Sequence, residues 1–215
     1  MTPEEFRSLL DRSQVIAEDA FGPKVLLTGD QRIVKIFRRK RILSRALILP
    51  SGKRFAKNAQ ILKKRGIDTV TIEDYRRCSC PPRELVWYRY LMGNPLREVC
   101  QNSKTEEIAM TVEKLGAFVA VLHRRGVLFR SLHWNNILLQ PSGRFALIDI
   151  LDLRVRNKPL NNSQRRRNFR HLLGRYQEDT QTFQLHSEKF WKGYAAATEL
   201  SEKQLKCLKR LEFLE

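Results

Sequence analysis

One stretch, Leu122 to Asp152, constrains this chain more than any other: LHRRGVLFRSLHWNNILLQPSGRFALIDILD. Leu122 and His123 close an apolar-periodic run, and Gly126 behind two arginines reads as a helix terminator. A short loop then leads to Asn136. Ile137-Leu138-Leu139 reads as a strand and Pro141-Ser142-Gly143 as a turn. Phe145 to Asp149 reads as a returning strand closed by a carboxylate. A hairpin therefore stands between Asn136 and Asp149, thirteen residues further on.

The rest of the chain supplies the elements around this stretch. Residues 3–12 predict a short amphipathic helix opened by Thr2-Pro3. Three strand-like runs follow, at 14–18, 24–28 and 32–37, with turns at 20–23 and 29–31. Residues 54–65 have helical spacing, with Phe55, Ala59, Ile61 and Leu62 apolar. Two further strands are expected at 70–72 and 84–91, separated by a Cys/Pro/Arg turn. The Met92-Gly93-Asn94-Pro95 cluster breaks the pattern. A long helix is expected from Lys104, with Ile108, Val112, Leu115, Phe118, Val119 and Leu122 on its core face. Beyond Asp152 the chain is basic and then helical, with stripes at Phe190, Trp191, Tyr194 and at Leu205, Leu208, Leu211.

Composition narrows the partners. Lys and Arg number 41 against 23 Asp and Glu, a net charge of +18. The excess is clustered: twelve cations and no acid from Lys35 to Ile67, and eight with no acid from Leu153 to Tyr176. Fields of one sign attract polyanions. Nucleic acid, anionic lipid headgroups and phosphorylated glycans all qualify, as does a solvated surface with no single partner. Nucleic acid is disfavoured, since aromatic side chains do not interleave with the basic runs. Cys78-Ser79-Cys80 lacks metal or redox spacing, so the four cysteines are expected as reduced thiols in a cytosolic protein. The N-terminus is acidic, with no apolar segment to suggest a signal peptide. No apolar run approaches the roughly 18–20 residues needed to span a bilayer.

The order of elements through 122–152 resembles the catalytic and metal-binding loops of the protein kinase-like fold. There H-R-D-L-x-x-x-N precedes a hairpin and an Asp that holds magnesium. Aligned on Asn136, this chain has Phe129-Arg130-Ser131-Leu132-His133-Trp134-Asn135-Asn136. Arg130, Leu132 and Asn136 match, and Ser131 stands where the family has its catalytic aspartate. Ile33-Val34-Lys35-Ile36 is similar to the V-A-I-K strand. Lys35 is either a solvent-facing strand residue or a phosphate contact. The turn over Gly22 has one glycine where kinases carry several. No acid lies between Asp30 and Asp68, so the 54–65 helix lacks the Glu that pairs with the strand lysine in active kinases, and Glu73 or Asp74 are the substitutes to consider.

Over about residues 14 to 200 the chain resembles the lipopolysaccharide-core kinases of Gram-negative bacteria, which phosphorylate heptose or Kdo sugars. Phe129-Arg130-Ser131-Leu132-His133 and Leu147-Ile148-Asp149-Ile150 look most like a pseudomonad branch that carries the label toluene tolerance protein. The resemblance implies an α+β, bilobal protein kinase-like fold. It has a small antiparallel-sheet N-lobe, residues 1–92, and a mainly helical C-lobe, residues 93–215. It implies an ATP-dependent sugar phosphotransferase in the cytoplasm, peripheral at the inner membrane. Lys35, Gly22 and the segment from Met92 would bind ATP, and Asn136 and Asp149 would bind Mg2+. Arg130 would steady the loop or meet a phosphate. His133 is either a replacement base for Ser131 or a loop histidine hydrogen-bonded to backbone. Arg165, Arg166, Arg167 and Arg170 would hold an anionic lipopolysaccharide core or another phosphorylated glycan. The alternative is a pseudokinase that binds an anionic glycolipid or an envelope-assembly partner without transferring phosphate. The oligomeric state is left open.

Overall fold

The structure, a computed structural model, describes residues 1–38, 50–173 and 176–210. Part of the first basic run (39–49), Arg175 of the second, and Leu211 lie outside the described residues. The chain forms two compact units: Met1–Lys64 with Thr69–Leu91, and Arg65–Asp68 with Met92–Glu215. Asp68 accepts from Arg144 and from Gln140 Nε2 at 3.0 Å, which ties residues 65–68 to the second unit and not to the N-terminal part expected for them.

The first unit opens with helix α1 (Pro3–Asp11). Thr2 caps it: its hydroxyl accepts from the Glu5 amide at 3.2 Å, and the Glu5 carboxylate accepts from the Thr2 amide at 2.8 Å. Strands β1 (Ser13–Asp19), β2 (Gly22–Thr28) and β3 (Arg32–Arg38) follow, then α2 (Ser51–Lys64). After β4 (Asp68–Thr69) come β5 (Ile72–Cys78) and β6 (Arg83–Arg89). The main sheet is antiparallel, in the order β1-β2-β3-β6-β5. Val70 and Thr71, expected in a strand, lie outside β5, and Tyr90 and Leu91 lie outside β6.

Strand β3 is buried on both faces, which is why it reads as a nearly continuous apolar run. Val34 and Ile36 pack with Leu26, Leu85, Trp87 and with Phe6 of α1. Phe37 lies on the other face, its ring 5.5 Å from that of Phe55 on α2. A Cβ on Gly52 would fall 2.9 Å from Tyr75 Cε2, so glycine lets α2 start tight against β5 and β6. Buried Glu84 on β6 accepts from the Gly52 amide at 2.9 Å and from the Tyr75 hydroxyl. It supplies the anion that the first turn of α2 lacks in its own sequence.

The second unit holds β7 (Asn94–Pro95), α3 (Leu96–Asn102), α4 (Thr105–Arg124) and β8 (Val127–Phe129). Then come β9 (Ile137–Leu139), β10 (Phe145–Leu147) and β11 (Leu153–Val155). Four helices finish it: α5 (Asn162–Leu173), α6 (Gln177–Leu185), α7 (Ser187–Ala197) and α8 (Glu202–Lys209). One small sheet runs β4-β10-β9-β7, and β8 pairs with β11. The 92–97 segment expected as a break contains β7 and the start of α3, whose Leu96 is fully buried.

Helices α4 and α7 meet backbone to backbone. A Cβ on Gly116 would lie 2.0 Å from the Phe190 carbonyl oxygen, and one on Gly193 would lie 1.8 Å from that of Glu113. The α+β class and the order implied by the resemblance, a small antiparallel sheet followed by a mainly helical part, are both observed. All four cysteines are free, and burial pushes the Cys100 thiol up to about 12. No helix among the described residues is long and apolar enough to cross a membrane.

Candidate active site

The loop after β8 is built from short backbone hydrogen bonds. Leu132 N donates to Phe129 O at 3.2 Å, His133 N to Ser131 O at 3.0 Å, and Asn136 N to His133 O at 2.8 Å. Strand β8 is held on both edges before the loop begins. On one edge it pairs with β11, Leu153 opposite Phe129. On the other, the Asn168 side chain from α5 accepts from the Phe129 amide at 3.0 Å and donates to the Val127 carbonyl at 3.4 Å. Asn168 was not singled out in the sequence. A signal was available, because Arg165, Asn168, Phe169 and Leu172 share one helix face at i, i+3, i+4 and i+7.

Within the loop, Asn136 is buried, and its Nδ2 lies 2.9 Å from Ser131 O and 3.1 Å from His133 Nε2. Ser131 is half-buried, and its carbonyl accepts two of the bonds that shape the loop. The Ser131 side chain is a hydroxyl, with no carboxylate to offer. Arg130 is exposed and makes no ion pair among the described residues. Trp134 is buried beneath the loop as a packing residue.

The β9–β10 hairpin brings the two proposed metal ligands together. Ile137 pairs with Leu147, and at the next step outward Ile148 N donates to Asn136 O at 3.0 Å. Asp149 follows directly, exposed, with a left-handed φ of 50°. Such a conformation in a non-glycine residue is uncommon. Asn136 and Asp149 offer one amide oxygen and one carboxylate, hard oxygen donors that fit magnesium. Two protein ligands are enough for an ion that fills its remaining positions with phosphate and water oxygens. No group of three or more His, Cys, Asp or Glu able to hold a metal occurs among the described residues.

Lys35 sits mid-strand in β3, half-buried, opposite Val86, with its ammonium 5.3 Å from the centre of the Phe55 ring. Glu73 pairs with Arg89 at 2.6 Å, and Asp74 with Arg76 at 2.7 Å. Gly22 has φ +102 and starts β2. The turn before it is stapled. Asp19 accepts from the Phe21 amide at 2.9 Å and pairs with Arg38 at 2.5 Å and Lys24 at 3.0 Å. Arg38 also donates to Gly22 O at 2.8 Å. The Phe21 N–H, then the Lys24 and Arg38 charges, hold the Asp19 carboxyl well below the usual carboxylate range. In the second unit Met92 is exposed.

The four arginines expected to hold the acceptor are not equivalent. Arg165 is 1% exposed and spends its guanidinium internally, on Leu160 O at 2.7 Å, Tyr194 Oη at 2.8 Å and Glu199 at 2.6 Å. It is withdrawn from the acceptor set, since the phase set by Phe169 and Leu172 turns it into the core. Arg166 is half-buried, with Nη2 3.3 Å from Cys207 Sγ. Arg167 and Arg170 are exposed, without ion pairs among the described residues. Fully buried His123 joins the Arg165 network through Nδ1, 2.9 Å from Tyr194 Oη.

A family model for the "Lipopolysaccharide kinase (Kdo/WaaP) family" matches residues 94–194. The match spans the loop, the hairpin and most of the second unit, and it includes neither Lys35 nor Gly22. No curated protein matches the chain. Among solved structures, "Structure of the Cydia pomonella Granulovirus kinase, PK-1" aligns over 99% of this chain and 91% of that one, at 10% identity and a TM-score of 0.45.

Proposed function

We propose that this chain is an ATP-dependent phosphotransferase acting on an inner-core sugar of lipopolysaccharide, heptose or Kdo. The observation that supports it most directly is that Asn136 accepts from the amide of Ile148, the residue before Asp149, at the open end of the β9–β10 hairpin, inside the span that matches the family model. In this reading Asn136 Oδ1 and the Asp149 carboxylate hold Mg2+. Bound there, magnesium would neutralise charge on the β- and γ-phosphates. Lys35 meets the α- and β-phosphates, Gly22 turns the backbone beside them, and the segment from Met92 faces the base. Arg130 offers a cation beside the loop. Exposed Arg167 and Arg170 recruit the anionic acceptor, with Arg166 beside them. The toluene-tolerance branch, action at the cytoplasmic face and peripheral contact with the inner membrane belong to the same proposal.

Phosphoryl transfer depends mainly on positioning and charge neutralisation, so a loop without its aspartate retains part of its catalytic capacity. Loss of a general base typically costs about 10²–10⁴ in rate.

A second reading, a pseudokinase that binds an anionic glycolipid without transfer, is favoured by two observations. Ser131 offers no carboxylate, and the Phe21 N–H of the glycine turn is already given to Asp19.

Calorimetric titration of ATP, with and without Mg2+, tests the first reading. Magnesium-dependent binding is expected, and Asp149→Asn should weaken it by at least about tenfold. Binding that ignores both metal and mutation would remove the proposed site.

A further inference from the structure

Asn136 has two side-chain amide hydrogens, and the loop uses both. The Ser131 carbonyl can only accept, so the amide nitrogen, not its oxygen, faces it at 2.9 Å. The second hydrogen then points to His133 Nε2 at 3.1 Å. With the amide nitrogen facing Ser131 O, Nε2 is the acceptor of that contact. The backbone of Asn136 is fixed as well, donating to His133 O at 2.8 Å and accepting from Ile148 N at 3.0 Å.

The imidazole is held from its far side. It is buried, and its ring meets Tyr176 edge-on, with centroids 5.9 Å apart. The Arg97 guanidinium lies 3.7 Å over the Tyr176 ring. Arg97 forms a two-point pair with buried Asp179, at 2.9 and 2.7 Å. Contacts thus run from α3 and α6 through Tyr176 and His133 to the Asn136 amide.

We propose that His133 is a positioning residue. It accepts from Asn136 and thereby orients Oδ1 of that side chain as a metal ligand, and it is not the base that takes the proton of the sugar hydroxyl. This rests on the Mg–ATP reading above. The lone pair a base would need is the one Asn136 occupies. Partners of metal ligands that fix ligand orientation typically change metal affinity about 10–100-fold when removed.

The test combines spectroscopy with two substitutions. In the metal-free protein, ¹⁵N ring shifts of His133 should report a protonated Nδ1 and an unprotonated, hydrogen-bonded Nε2. A protonated Nε2 would overturn the proposal. His133→Leu removes the acceptor and should raise the Mg2+ concentration needed for ATP binding about tenfold, with metal-free ATP binding unchanged. His133→Gln, which restores an acceptor oxygen, should recover most of that loss. Thermal melting confirms that both variants fold. A leucine variant with normal magnesium dependence, or a glutamine variant as impaired as leucine, overturns the positioning role. Absence of magnesium-dependent ATP binding in the unaltered chain would instead overturn the underlying nucleotide reading, an outcome the two substitutions do not imitate.

Discussion

The Asn168 side chain acts towards Phe129 as a neighbouring strand would, accepting from its amide while donating to the carbonyl of Val127 two residues back. One amide side chain therefore completes the hydrogen bonding of β8 where β11 cannot reach. The loop from Arg130 to Asn136 hangs from that strand.

Removing this side chain leaves a buried backbone N–H and a buried C=O without partners, each costing about 1–3 kcal/mol. Asn168→Ala should lower unfolding stability by about 2–4 kcal/mol. Urea denaturation checks it, and hydrogen exchange should show the amides of β8 opening before those of α4.

The α4–α7 crossing gives a sharper contrast. Gly116→Ala or Gly193→Ala puts a methyl group into a backbone carbonyl, so each should cost about 3 kcal/mol through forced separation of the helices. Gly143 sits in open space at φ +76, where alanine meets only the left-handed penalty of about 1–2 kcal/mol. Equal melting temperatures for the Gly116 and Gly143 variants would contradict the crossing described.

His123 should make stability depend on pH. Burial first, and then the Arg165 charge, hold its pKa well below the usual 6.5. Below pH 6.5 the unfolded chain takes up a proton that the folded chain refuses. Stability therefore falls as pH falls, by up to about 1.4 kcal/mol per pH unit, and is level above that window. Denaturation at pH 7.5 and 5.5 should show a larger drop for the unaltered chain than for His123→Gln.

The adjacent arginines should separate cleanly. Arg165→Met removes the guanidinium shared by Leu160 O, Tyr194 and Glu199 and should cost about 3 kcal/mol. Arg167→Ala and Arg170→Ala should change stability by no more than about 0.5 kcal/mol. If they recruit the acceptor, they raise its KM and leave ATP binding intact. A normal acceptor KM in the double variant would remove them from the site.

Ser131→Asp distinguishes the enzyme from the pseudokinase. A loop shaped by the Ser131 carbonyl keeps its backbone bonds when the side chain changes. Turnover should rise by about 10² or more if only the base is missing. No gain, with ATP still bound, would favour the binding role.

What was legible in the sequence was local. The β9–β10 hairpin and the α4 terminus announce themselves through turn residues and apolar period within about thirty residues, and Thr2-Pro3 marks the start of α1. Helix α3 was missed because seven residues carry too few turns for a period to show. Val70 and Thr71 have strand-forming side chains, yet the main-sheet pairing of β5 with β6 starts at Ile72. At the candidate site, spacing and resemblance propose Asn136 and Asp149. They do not propose the supports, because Asn168, Tyr176 and Arg97 lie far from the loop in sequence. Arg165 looks like its neighbours in a basic run, and only the phase set by Phe169 and Leu172 reveals its burial.

The bond from Arg165 to Glu199 also sets a limit on truncation. Chains shortened to end before Glu199 would strand a fully buried guanidinium with no carboxylate, whereas shortening that starts after Thr198 and Glu199 would spare the network. The smallest stable version of the second unit should therefore end beyond Glu199. A ladder of C-terminal deletions ought to lose solubility abruptly at that residue, not gradually through α8.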